Sequence, residues 1–183
     1  MSRRHCVGAP IAVAAIAWLT FIGAPAFAGG ADPVPRVPKR DPAMSAAFAR
    51  AAATFDVFLA VWRAPPSGAN GFAVKLGLVD SKDESGFAIV RPDSEPTAIV
   101  EWFWCGDLAS DGERFTPRIG NEPETQRNVE YGQLVAFTRA DIGDWMYWRN
   151  GKIVGNATVC PALAYASGEE RRQMKAQYGI DCD

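Results

Sequence analysis

Four carboxylates in this chain have the type and setting for acid and base work: Glu101, Glu122, Asp141 and Asp144. Glu101 sits inside AIVEWFWC, where apolar neighbours surround it whichever side of a strand faces inward. A carboxylate so placed has a raised pKa or a partner, and Lys75 on the preceding strand is the candidate partner. Glu122 stands in the turn Asn121-Glu122-Pro123, and Asp144 precedes Trp145 in a second turn. These two turns are expected near each other at one end of a sheet. Two carboxyls roughly 5 to 10 Å apart in a cleft could hydrolyse a glycosidic bond. Trp102 or Trp104, with Tyr147 and Trp148, could instead line a groove for a peptide or a glycan, since aromatic surfaces beside acids suit such contacts. The residues expected to meet a ligand or partner are therefore Glu101, Trp104, Asn121, Glu122, Asp144, Trp145 and Trp148.

The inventory of other chemistry is short. Arg3 and Arg4 precede an uncharged run over residues 7–27 that ends in Ala26-Phe27-Ala28 and two glycines, the pattern of a secretory signal peptide cleaved after Ala28. Pro10, Gly23 and Pro25 interrupt that run, which argues against a retained membrane anchor. Cleavage would remove His5, the single histidine. Without an imidazole, Ser-His-Asp and Cys-His catalysis and histidine-held zinc or iron are excluded. Neither catalytic residues, a metal nor a cofactor is assigned. Of 183 residues 155 would remain, with 17 of the 19 basic residues facing 21 acidic ones, a net charge of −4. That acidic excess, with basic residues scattered singly, argues against a nucleic-acid partner. The expected compartment is periplasmic or extracellular, and the expected partner an envelope protein or a small ligand.

Three cysteines would survive the cut. In an oxidising compartment Cys160 and Cys182, which bracket a short helix, are expected to pair. Cys105 then stays a free thiol at the end of an apolar strand.

The elements that position these groups follow from patterning. Residues 29–40 hold three prolines and two glycines and read as a flexible leader to one domain over residues 41–183. Asp41 and Pro42 make an N-cap and a first-turn proline for a helix over residues 42–63, closed by Pro65 and Pro66. Its stripe of Phe48, Phe55, Phe58, Leu59 and Trp62 is expected to pack on a sheet. Residues 72–79 alternate as a half-buried strand, and 98–105, 115–119, 134–138 and 146–148 read as further strands. A turn is expected over 106–114, while 86–90 fits an edge strand or a loop. Asn150-Gly151 suits a type I′ hairpin turn leading back through 152–154. Ser167 to Glu170 is a capping box for a helix to about Tyr178, stopped by Gly179. The expected class is α+β: an N-terminal helix on a curved antiparallel sheet of five or six strands, with a short C-terminal helix.

The segments FAVKLGLVD, EWFWCGDL, FTPRIGNEP and YGQLVAFTRADIGDWMYWRNGKIVGN together resemble the bacterial YegJ-like family, a domain of unknown function found largely in secreted or envelope proteins. The resemblance covers about residues 44–160 and rests on Asn121-Glu122-Pro123, Gly132, Ile142, Asp144-Trp145, Gly151 and Gly155. It implies no catalytic residues. The function expected is that of an exported, non-enzymatic binding module; the alternative is a carboxylate-based hydrolase of cell-wall glycan.

Overall fold

Asp41 opens the first helix as its N-cap: its carboxylate accepts from the Met44 N–H at 2.7 Å, and Pro42 occupies the first turn. The computed structural model describes residues 41–95, 98–180 and 182, so the expected signal peptide and the leader fall outside the described residues. The helix, α1 (Pro42–Arg63), buries Ala47, Ala51, Phe55, Phe58 and Leu59. It is long and apolar enough to cross a membrane by length and composition, but these residues pack into the core of the domain.

Six strands follow: β1 (Ala69–Asp80), β2 (Phe87–Val90), β3 (Glu101–Ser110), β4 (Phe115–Ile119), β5 (Ile142–Arg149) and β6 (Lys152–Gly155). All pairings are antiparallel, in the order β4-β3-β1-β5-β6, with β2 pairing β1 beyond the end of β5. The fold is thus α+β, a helix on a six-stranded sheet that does not close. Val74, Leu76 and Leu78 of β1 point into the core with Phe103 and Cys105 of β3, because residues opposite one another share a face. Lys75, Gly77, Trp102 and Trp104 occupy the other face.

Several boundaries differ from the sequence reading. Residues 106–110 extend β3, where a turn is expected: Asp107 takes φ 49° and forms a bulge, across which the pairing with β4 shifts register. A Gly-Asp pair serves a bulge as well as a turn. Residues 87–90 are a strand. Residues 134–138 make two bridges to β4, Phe115 to Phe137 and Arg118 to Leu134, rather than a full strand. The Asp141 to Asp144 turn is a short 3₁₀ segment (Arg139–Asp141) followed at once by β5, so Asp144 lies within the sheet. Asn150 and Gly151 take φ 52° and 74° at the β5–β6 turn, as Asn-Gly predicts.

Helix α2 (Val159–Leu163) precedes α3 (Gly168–Tyr178), which has the expected Ser167–Glu170 capping box and Gly179 in the left-handed region. No α3 residue is buried. A disulfide joins Cys160 to Cys182. Closing that loop stabilises the tail by roughly 3 kcal/mol in the chain-entropy account. Cys105 is free and buried, and burial pushes its thiol up to about 12, so it is inert while the protein is folded.

Trp62 is half-buried, its ring edge-on to Phe115, whereas Phe58 is fully enclosed and meets Phe55, Phe72 and Trp145. Phe58→Ala should therefore cost about 3 to 5 kcal/mol and Trp62→Ala roughly half as much. Urea melts check the order; a larger loss at Trp62 would move the centre of the helix contact to its C-terminal end.

Candidate functional site

The face of the sheet away from the core carries a connected polar cluster. Lys75, half-buried on β1, is flanked by Trp104 on β3 and Asp144 on β5. Its ammonium lies 4.5 Å from the centre of the Trp104 ring and donates to Thr158 Oγ1 at 3.0 Å. The Thr158 hydroxyl donates onward to Asp144 Oδ2 at 2.7 Å, and the Thr158 N–H donates to the same oxygen at 2.7 Å. Asp144 Oδ1 accepts from the Trp145 N–H at 2.8 Å. Both Asp144 and Thr158 are withdrawn from water. The ammonium and the carboxylate thus share one buried hydroxyl, the arrangement a charge needs when it is taken out of water.

Asn121 belongs to the same neighbourhood. Its side-chain oxygen accepts from the Trp104 N–H at 2.9 Å, and Gly120 N–H donates to Trp104 O at 2.8 Å, so this turn holds β3 beyond the end of β4. Glu122 follows at the surface, exposed. Trp104 keeps part of its ring accessible, with Lys75 over it. Next along β3, the Trp102 indole lies across Gly77 and Gly143; a β-carbon would come within 3.1 Å of it at the first and 2.4 Å at the second. Phe48 of α1 stacks on Trp102 at 4.8 Å between ring centres.

The other expected site residues lie elsewhere. Glu101 is opposite Leu78, on the core face and three residues further along β1 than Asp144. Its carboxylate accepts from the N–H groups of Glu124, Thr125 and Gln126 at 2.7, 2.8 and 3.0 Å and from the Thr125 hydroxyl at 2.8 Å. Burial pushes its pKa up, but those four donors outweigh burial and hold it below the ordinary value. Lys75 is therefore committed to Thr158 and Trp104 rather than paired with Glu101. Asn121 and Asp144 lie on one row across the same end of the sheet, linked through Trp104 and Lys75, but Asp144 is a residue of β5 rather than of a turn. Trp145 is buried against α1, its indole N–H donating to Ala51 O at 3.0 Å, and Tyr147 is buried in the core. Trp148 lies over Gly71 and meets Tyr178 of α3. It stands opposite Asn70 where Trp104 stands opposite Lys75, about 17 Å further along β1, so the two rings line no common groove. Asp141 closes the 3₁₀ turn by accepting from the N–H and hydroxyl of Thr138.

Three residues outside the sequence expectations complete the picture. Thr158 bridges the charges of the cluster. Asp80 accepts from the N–H groups of Arg127 and Asn128, and Gln126 accepts from the Asp80 N–H while donating to Ile99 O. No local signal marks them, because each acts on groups remote in the chain. Among the described residues no group of His, Cys, Asp and Glu could hold a metal ion.

The fold and this face define a small α+β module in which several carboxylates hold backbone N–H groups. The chain belongs to the family described as an uncharacterized protein conserved in bacteria (DUF2314), which matches residues 41–182. It is 34% identical to the uncharacterized protein YegJ of Escherichia coli K12 over 102 residues, 56% of this chain and 66% of that protein. It is 32% identical to a putative ankyrin repeat protein of Neisseria meningitidis serogroup B over 149 residues, 79% of this chain and 54% of that protein. The chain thus spans less than two thirds of the length of either relative. No solved structure matches it.

Two outcomes separate the roles of the acids. Because the Glu101 pKa is lowered on folding, its ionised form stabilises the protein above the unfolded value near 4.5 and the contribution is lost as pH falls through the folded value. Glu101→Gln should lower stability at neutral pH, and the gap to wild type in urea melts should shrink between roughly pH 5 and 3. A gap that does not change with pH would deny the carboxylate this role. Asp144→Asn should cost about 2 to 4 kcal/mol, since it weakens three buried hydrogen bonds to a charged acceptor; calorimetric melting checks this, and an unchanged Tm would free Asp144 for another duty.

Proposed function

We propose that the protein is an exported, non-enzymatic binding module that meets its partner through the Trp104 face of the sheet. One observation carries the reading: three of the four candidate carboxylates are spent on the protein's own backbone. Glu101 holds residues 124–126, Asp141 caps the 3₁₀ turn, and Asp144 holds Thr158. Only Glu122 points outward from an exposed position. Glu101 and Asp144 sit opposite β1 residues three apart, so they face opposite sides of the sheet, about 10 Å apart along it. A glycan hydrolase needs an acid and a base in one cleft, and this arrangement favours the binding module over it.

What is left exposed suits recognition. Trp104 offers part of a ring with an ammonium above it, and Asn121 and Glu122 border it with an amide and a carboxylate. Such an apolar surface with few polar groups is the composition of contact sites. Export is supported by the residues 7–28 pattern and by the Cys160–Cys182 disulfide, since disulfides persist in oxidising compartments. The relative named as an ankyrin repeat protein supports a binding role in a weaker sense, because repeat arrays are binding scaffolds.

The test uses the tagged mature protein to capture its partner from envelope extract. Trp104→Ala should weaken the captured complex about thirtyfold, as loss of a central aromatic contact does. Glu122→Gln should weaken it less and keep the wild-type Tm, whereas Trp104→Ala also loses the half-buried ring under Lys75 and is compared at a temperature well below its lowered Tm. Release of sugar fragments from purified cell wall by the wild type, abolished by Glu122→Gln, would establish the hydrolase in place of the module.

A further inference from the structure

The sheet has an open side. The Ser81–Ser85 connection carries β2 along the outer edge of β1, and residues 133–137 lie along β4 at the opposite edge of the sheet. These two segments border an open cleft of about 530 Å³ lined by Glu84, Ser85, Phe87, Ile89, Leu134 and Ala136. Among the described residues β2 has β1 as its one strand partner.

Hydrogen bonding shows which backbone groups face this cleft. The N–H groups of Val135 and Phe137 donate inward, to Pro117 O and Phe115 O of β4. Because donors alternate along an extended segment, those of Leu134 and Ala136 point away from β4, and alternate residues of β2 likewise point away from β1. The composition of these edges is unusual. β2 reads FAIV and residues 133–137 read QLVAF, without a charge or a proline in either. Exposed strand edges normally carry such residues to prevent pairing with another chain. Here the apolar side chains also stay accessible: Leu134 is 50% and nearby Tyr131 56% exposed. An edge left open in this way, beside a cleft with both apolar and polar walls, is the geometry of strand addition.

Charge selects the occupant. Residues 1–40 carry five basic residues and one acid, so from Asp41 onward 14 basic residues face 20 acidic ones, a net charge of −6. Glu84 is exposed at the cleft itself, with Asp83 beside it. A second copy of so acidic a chain would repel, whereas a basic strand would be drawn in.

We infer that the cleft between β2 and residues 133–137 receives an extended basic segment of a partner protein, whose backbone pairs with the outward groups of Leu134 and Ala136 and whose alternate apolar side chains fill the space beside Phe87 and Ile89. The cleft is lined by neither Trp104 nor its partners Lys75 and Asn121, so this site is distinct from the Trp104 face.

The probe is an acetylated peptide of about eight residues that alternates valine with lysine, long enough for one ordinary strand; its counterpart alternates valine with glutamate. Calorimetric titration should show the lysine peptide binding at least about tenfold more tightly than the glutamate peptide. Amide exchange should slow at Leu134 and Ala136 in the complex. Ala136→Pro removes one outward donor without touching the bonds to β4 and should weaken binding about tenfold. Leu134→Arg alters only an exposed side chain, repels the lysines, and should do the same should the proline variant fail to fold. The proposal is overturned by no binding, by equal affinity for both peptides, by protection elsewhere on the surface, or by sedimentation showing that two copies of the chain pair through this edge.

Discussion

A carboxylate removed from water must be given donors, and much of the irregular chain in this protein runs where it does because two acids demand them. Asp144 is fully buried in the middle of β5 and takes the N–H and hydroxyl of Thr158. That fixes the chain immediately after the β5–β6 hairpin and therefore the start of α2, on which Cys160 sits. Glu101, three residues further along β1 and on the other face, makes the corresponding demand, gathering the N–H groups of residues 124–126. An unmet carboxylate at Asp144 would cost more than any single apolar contact gains, and one at half-buried Glu101 less.

These anchors explain why the acids are poor candidates for chemistry. A general acid or base has to exchange a proton with a substrate, and a carboxylate whose lone pairs are filled by backbone donors is already occupied. Lys75 is similar: its ammonium is engaged by Thr158 and by the Trp104 ring. The residues still able to meet another molecule are those that hold nothing else, the outer part of Trp104, exposed Glu122, and the unguarded backbone beside Leu134. The polar interior of the module is structural.

The tail is attached by different means. Helix α3 contributes nothing to the core, and its contacts with the domain include the ring contact of Tyr178 with Trp148 and the Cys160–Cys182 bond. A helix with a strong cap but no buried face gains little from tertiary packing, so a covalent closure does what burial does for α1.

The sequence by itself determined whatever depends on near neighbours in the chain. Asp41 and Pro42 specify the start of α1, Ser167 to Glu170 and Gly179 the two ends of α3, Asn150-Gly151 the hairpin turn, and the alternation of residues 72–79 the face of β1 that turns inward. The Cys160–Cys182 pairing was legible too, because the helix between them brings only a short loop to close. Only the tertiary structure decided what depends on distant partners. Gly106-Asp107 satisfies the local rules for a turn and for a bulge alike, and pairing with β4 selects the bulge. Glu101 has its donors 23 to 25 residues away in sequence, and Lys75 finds Thr158 at a separation of 83. Trp145 and Trp148 are chemically alike and three residues apart, yet one is sealed beneath α1 and the other lies under the tail. Side-chain type and spacing record how a segment folds locally. They do not record which remote backbone will need a donor, an acceptor or a covering ring, and that need assigns each of these residues its task.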